Sequence, residues 1–390
     1  MKRPALSWNA EVRLALAALA LLLAGSPAPA QELRLPVKDG SIRFAVIGDT
    51  GTGSTAQYDV AKQMIAFHAK LPFEFVIMVG DDLYGGSSAD DYRTKFEQPY
   101  AALLSGKVKF YASLGNHDNP DERNYKDWNM SGQRFYTWRA SPGGLGKLDN
   151  PGVRFFALDT NYMDKPQLDW VESELKKSSS EWKIAFFHHP LYSSGRTHGS
   201  SLDLRAQLEP LFMKYGVSVV LTGHDHFYER IKPQHGIYHW VCGAGGSLRK
   251  GDIDRGTGLT EVGFDTDYSF MLVEIDGTDL YFQAVSRTGQ TVDAGVIHHE
   301  PFPASAAPSP LPPSPGSTPV APAPVSPGPP KGSPAPVVSP SPSVSPSPPA
   351  SPSPKPSPAV KTSPTRRRPA TPRRSPSPRP SPKPSPTPPP

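Results

Sequence analysis

Phe73-Glu74-Phe75-Val76-Ile77-Met78-Val79 runs straight into Gly80-Asp81-Asp82-Leu83-Tyr84, and the junction between the two decides the fold. The first stretch is apolar apart from Glu74 and reads as a strand buried on both faces. A glycine ends it, and metal-ligating side chains follow at once. The same grammar recurs along the chain. Phe44 to Ile47 precedes Gly48-Asp49, and Phe110 to Leu114 precedes Gly115-Asn116-His117-Asp118. Ile184 to Phe187 precedes His188-His189-Pro190, and Val217 to Leu221 precedes Gly223-His224-Asp225-His226. One more histidine, His198, sits in Thr197-His198-Gly199. Ligands at successive strand C-termini converge on the open edge of a sheet, where α/β enzymes build their sites.

Helical periodicity fills the gaps between these strands. Ala56 to Ala69 has apolar residues at helical spacing, and another helical stretch is expected near Tyr92 to Leu104. Pro166 to Lys177 and Ser201 to Lys214 read as helices with one apolar side. From Ile237 to Ile297 the chain is mostly strands. The expectation is an α/β fold: a four-layer α/β/β/α sandwich of two mixed β-sheets flanked by helices.

Composition divides the 390 residues into three. Residues 1–30 read as a secretory signal, with Lys2, Arg3 and Arg13 ahead of an apolar run and Ala28-Pro29-Ala30 at its end. Residues 303–390 hold 35 of the 49 prolines and form a Pro/Ser-rich tail that cannot build a core. The catalytic domain is therefore expected over 31–302. The tail carries +10 and the signal segment +2, which leaves the body at −7 of the chain's +5. The basic pI thus belongs to the tail, which suits an anionic cell-envelope surface and offers no specific nucleic-acid motif. A secreted or envelope-associated location follows as an expectation. The single cysteine, Cys242, excludes an intramolecular disulfide.

The residue types point to paired metal ions. Asp81, at the end of a buried strand, suits a bridging carboxylate, while Asp49 suits a ligand to one ion. Asn116 offers an amide oxygen, and His188, His224 and His226 offer imidazole nitrogens. His224 and His226 lie two apart, so on an extended segment they point the same way. Mixed oxygen and nitrogen donors favour Fe, Zn or Mn over Ca. The phenol of Tyr84 ligates at neutral pH only beside a strongly charged ion, for which ferric iron is the natural partner. Two cations about 3.5–4 Å apart activate water and neutralise a phosphoryl group during in-line attack. His117 is expected as an acid or phosphate contact, its ring oriented by Asp118, and His198 as a phosphate contact or proton donor. His189 and Asp225 read as local hydrogen-bonding residues.

At these residues the chain resembles the calcineurin-like metallophosphoesterases, and within them the purple acid phosphatases, over about residues 40–290. The motifs that carry the resemblance are Asp49-Thr50-Gly51, Gly80 to Tyr84, Gly115 to Asp118, His188, and Gly223 to His226. It implies the metallophosphatase fold, with one ion, Fe(III), held by Asp49, Asp81, Tyr84 and His226. It implies a second, divalent ion (Fe, Zn or Mn) held by Asp81, Asn116, His188 and His224. The implied activity is hydrolysis of a small phosphate monoester by a metal-bound hydroxide. Asp82 stands where the family usually has Asn, and the proline-rich tail lies outside the family pattern. A phosphodiesterase or nucleotide hydrolase with the same site is one alternative. A surface-attached binding protein acting through its tail is the other.

Overall fold

The computed structural model describes residues 32–141, 144–145, 152–178 and 182–299. The expected signal segment and tail lie outside them. All described residues fall in one compact unit, Met1–Pro313.

The strands in chain order are β1 (Ile42–Ile47), β2 (Phe75–Met78), β3 (Lys109–Ala112), β4 (Tyr136–Ser141), β5 (Gly144–Leu145), β6 (Val153–Ala157) and β7 (Trp182–Phe186). They continue with β8 (Val219–Thr222), β9 (Tyr228–Ile231), β10 (Tyr238–Cys242), β11 (Thr260–Phe264), β12 (Ser269–Asp276), β13 (Asp279–Ser286) and β14 (Thr291–His298). Two sheets result, one ordered β14-β13-β12-β1-β2-β3 and the other β11-β9-β10-β8-β7-β6-β4-β5. In the first, β1, β2 and β3 run parallel. In the second, β6, β7, β8 and β10 do. Parallel strands end on the same side, so the loops after β1, β2, β3, β7 and β8 gather at one edge of the molecule.

An aromatic seam joins the sheets. Phe44 of β1 stacks on Phe75 of β2 at 5.2 Å, and Phe155 of β6 meets both edge-on at 5.4 Å. Trp138 of β4 stacks on Phe155 at 4.8 Å and on Tyr111 of β3 at 4.0 Å. Burying each such ring contributes about 1.5–3 kcal/mol, with about 0.5–1.5 kcal/mol more for each well-oriented aromatic pair.

Helices cover both outer faces. Helix α1 (Thr55–His68) starts at Ser54, whose side chain accepts from Gln57 N, and it buries Val60, Met64 and Phe67 against the first sheet. Helices α2 (Lys165–Lys176) and α3 (Leu202–Tyr215) lie on the second, with Val171, Leu175, Leu208 and Phe212 packed against Phe156, Ala185 and Val220. The four-layer sandwich is therefore the observed fold. One expected element differs. The helix near Tyr92 to Leu104 is broken into Ala89–Tyr92, a wider turn Arg93–Glu97, and Ala101–Ser105. Pro99 lies at the break and has no N–H to continue a ladder.

His239 in β10 is buried, and its Nε2 has no partner among the described residues. Burial, helped by the charge of Arg205 and by His235, pushes its pKa down to about 3. Below about pH 6.5 the unfolded chain takes up a proton that the folded chain refuses, so stability falls as pH drops from about 6.5 towards 3. One such group accounts for at most about 1.4 kcal/mol per pH unit. His239→Phe is expected to flatten the pH dependence of urea unfolding by up to one proton between pH 7 and 5. Identical slopes in the two proteins would show that His239 is not the sensor.

Candidate metal centre

The turns after the parallel strands are built for close approach. Asp49, Asp81 and His224 all have left-handed backbones, with φ of 54°, 53° and 71°. That conformation costs of order 1 kcal/mol each for residues bearing a side chain, and such outliers cluster at functional sites. Gly80, at φ 91°, leaves room for the His188 ring: a Cβ there would lie 2.6 Å from His188 Nδ1. Gly223 likewise admits the Asp49 carboxylate, which a Cβ would meet at 2.5 Å.

The side chains these turns carry meet in two groups. Asp49, Asp81 and His226 bring ligand atoms within 4.8 Å of one another, and so do His188, His189 and His224. The hydroxyl of Tyr84 joins the first group, 3.3 Å from Asp49 Oδ1 and 3.3 Å from His226 Nε2. Asn116 joins the second through Oδ1, 3.1 Å from His188 Nε2. Asp81 stands between the groups, since its Oδ1 is also 3.4 Å from His188 Nε2. All seven residues expected as ligands are thus in one place. His189, read from the sequence as a local hydrogen-bonding residue, bonds Thr160 Oγ1 at 2.9 Å and also belongs to the second group.

The electrostatics identify what the groups fit. His188 Nδ1 lies 3.0 Å from the carbonyl of Val79. A carbonyl only accepts, so Nδ1 donates and Nε2 presents a lone pair. That lone pair faces the amide oxygen of Asn116, the carboxylate of Asp81 and, at 3.1 Å, Nδ1 of His224. The spacing of His188 and Asp81 resembles an ion pair, yet burial and the adjacent His189 hold the His188 pKa well below its ordinary value. The contact is therefore acceptor against acceptor. Burial, then the neighbouring histidines, push His224 down to about 2, and burial, then Arg249, push His226 down to about 4. Burial and the charge of Asp81 push Asp49 well above the carboxylate range. No lysine or arginine pairs with Asp49 or Asp81 among the described residues. Neutral imidazoles and carboxylates pointing lone pairs at one another fit a cation, which turns each of these repulsions into a bond.

Of the three residues expected around the substrate, His117 and His198 lie at the rim and Asp118 is buried. His117 is exposed, with its ring 4.9 Å from that of Tyr84. The ring of His198, also exposed, lies 4.2 Å from that of His224. Asp118 differs from expectation. Its carboxylate accepts from Leu83 N at 2.9 Å and Gly115 N at 2.7 Å, so both oxygens brace the Tyr84 and Asn116 turns against each other. Backbone N–H groups are better matched to a buried carboxylate than an exposed imidazole.

Two further carboxylates brace the His198 loop: Asp225, expected as a local hydrogen-bonding residue, and Glu229, which no signal in the sequence marked. Asp225 Oδ2 accepts from Ser193 Oγ at 2.5 Å and Gly199 N at 3.2 Å. Glu229, fully buried, accepts from Ser194 N at 2.9 Å. Asp225→Ala removes the first brace, and each lost hydrogen bond to a charged group costs about 1.5–3 kcal/mol. The expected result is a lower urea midpoint together with faster hydrogen exchange at the Gly199 amide. Unchanged protection of that amide would show that Asp225 does not hold the loop.

Comparison with known proteins agrees with this geometry. Residues 42–228 match the calcineurin-like phosphoesterase family. Purple acid phosphatase 7 of Arabidopsis thaliana is 31% identical over 257 residues, covering 57% of this chain and 76% of that protein. Tartrate-resistant acid phosphatase type 5 of Homo sapiens is 25% identical over 315 residues, covering 67% of this chain and 94% of that protein. The structure of purple acid phosphatase PPD1 from yellow lupin superposes with a TM-score of 0.50 at 21% identity, over 68% of this chain and 55% of that one. The chain belongs to the calcineurin-like phosphoesterases and, among them, to the purple acid phosphatases: it is a metallophosphoesterase hydrolase.

Proposed function

We propose that this chain is an exported phosphatase that hydrolyses small phosphate monoesters at a pair of metal ions. The observation that carries this reading is the meeting of seven donor side chains, from the ends of five parallel strands, in two adjoining groups. Asp49, Asp81, Tyr84 and His226 hold one ion, ferric because a phenol ionises at neutral pH only beside a strongly charged cation. Asp81, Asn116, His188 and His224 hold the second, a divalent Fe, Zn or Mn. When bound, such a pair supplies an activated water and neutralises charge gathering on the phosphoryl oxygens.

The chain's own residues do the rest. His117, beside Tyr84, contacts the phosphate. His198, against His224, gives a proton to the departing ester oxygen. Asp118 fixes the spacing of the Tyr84 and Asn116 turns and so positions ligands of both ions. Export rests on the signal-like residues 1–30. The +10 tail, set against a −7 body, tethers the enzyme electrostatically to an anionic envelope surface.

Metal-loaded protein is expected to turn over 4-nitrophenyl phosphate faster than bis(4-nitrophenyl) phosphate, and to lose activity to a chelator. Asp81→Asn is expected to lower kcat/KM by more than about 100-fold, beyond what loss of an outer partner of a ligand does. A visible phenolate-to-iron band is expected in the parent and absent from Tyr84→Phe. Preference for the diester would overturn the monoester reading, and a colourless iron-loaded parent would overturn the ferric assignment. Deleting 303–390 is expected to release the enzyme from cell-envelope fractions, as raised salt does for the full chain. Retention of the shortened chain would remove the tethering role.

A further inference from the structure

A cavity of about 290 Å³ opens beside the donor groups, between the Asn116 turn and the loop that follows β6. Asn116 and Asp118 form one wall, with Pro120 beside them, and Arg134, Asn161 and Tyr162 form the other. Asn116 is therefore shared: its amide faces His188 on one side and the cavity on the other. A phosphoryl group seated against the donor groups has this cavity as an immediate neighbour for its ester substituent.

The far wall is fixed to the site. Asn161 donates through Nδ2 to the carbonyls of Gly115 at 3.0 Å and Leu114 at 3.3 Å, which ties the loop to the Asn116 turn. The preceding residue, Thr160, is bonded to His189, whose ring lies 4.4 Å from that of His224. Arg134 donates to Asp159 at 3.2 Å, to Asp164 at 2.9 Å and to the carbonyl of Tyr162 at 3.2 Å. A wall held this way is preformed, and binding against it orders little.

Two features define what the cavity accepts. Tyr162 is 57% exposed, one of few large apolar side chains left open to solvent among the described residues. Its ring lies 5.9 Å from the Arg134 guanidinium, so the arginine limits the ring's freedom. The second feature is charge. Arg134 is held by two carboxylates, so the wall has no surplus positive charge with which to hold another anion. The volume lies at the lower end of ligand pockets and suits one ring system rather than a long chain.

We propose that this cavity is the leaving-group pocket of the enzyme, that it selects phosphate esters of uncharged aromatic alcohols, and that Tyr162 is the residue on which their ring stacks. The inference deepens the phosphatase reading and rests on it.

The test compares 4-nitrophenyl phosphate with glycerol 2-phosphate, on metal-loaded full-length protein. Tyr162→Ala is expected to lower the ratio of the two kcat/KM values by about three- to tenfold, the effect of one lost aromatic pair. The loss is expected as a higher KM for the aryl ester, and Tyr162→Phe is expected to restore the parent ratio. Equal loss on both esters would overturn the proposal by making Tyr162 a general positioning residue, and so would an unchanged ratio. Pyrophosphate outcompeting phenyl phosphate in the parent would also overturn it, because the pocket would then be taking a second anion. If the loaded parent turned over neither ester, the phosphatase reading would fall instead.

Discussion

Lone pairs facing lone pairs around the buried Asp49, Asp81 and His188 are the constraint around which this molecule is organised. His188 Nε2 points at the Asn116 oxygen at 3.1 Å and at the Asp81 oxygen at 3.4 Å, with a protonated His188 disfavoured by burial. Such an arrangement is repulsive in a protein alone and attractive around a cation. It persists only because the surrounding backbone is over-determined. Three donor residues sit at positive φ, and glycines at the neighbouring positions let turns approach closer than any side chain allows. Strain of this kind is affordable in a domain this size because the aromatic seam and two helical layers lie beneath it.

Buried carboxylates do the bracing. Asp118 bridges the turns after β2 and β3, and Asp225 and Glu229 hold the His198 loop to the second sheet. Backbone N–H groups of strained turns have no ladder partner, and an acceptor-only carboxylate takes two or more of them at once. The same acids add negative charge beside the donors. Asp82 shows the consequence: neither of its oxygens has a hydrogen-bond partner among the described residues, and burial followed by the charges of Asp118 and Glu122 raises its pKa well above the carboxylate range.

Much of this was legible in the sequence because each donor lies in the turn after a strand and most follow a glycine. Asp49, Asp81, Tyr84, Asn116, His188, His224 and His226 all occupy such turns, and the fold brings them together. The layers were legible from helical periodicity between strands. What stayed hidden depended on partners distant in the chain. Asp118 was read as a partner of the adjacent His117, whereas its contact to Leu83 lies 35 residues back. Asp225 was read as a local hydrogen-bonding residue, whereas its partner Ser193 lies 32 residues away. Strands β4, β6 and β9 contain Arg139, Arg154, Glu229 and Arg230, which blur the apolar pattern that betrays a central strand. Tyr162 carries no signal at all until a cavity is seen beside it.

The donors come from both sheets, and that couples stability to the site. Turns after β1, β2 and β3 supply Asp49, Asp81, Tyr84 and Asn116, while turns after β7 and β8 supply His188, His224 and His226. Each donor group therefore draws on facing layers of the sandwich or adjoins a group that does: Asp49 and Asp81 with His226 in one, Asn116 with His188 and His224 in the other. Ions bound there would add cross-links between layers that otherwise meet through packing and a few hydrogen bonds, such as Tyr136 Oη to the Ala112 carbonyl. They stabilise the folded chain by mass action, since the unfolded chain offers no such set of donors. By the same linkage, loosening the Phe44–Phe155 contact that holds the sheets at their spacing weakens the hold on both ions, although neither ring touches a donor. In this fold the core beneath the site is part of the metal-binding free energy.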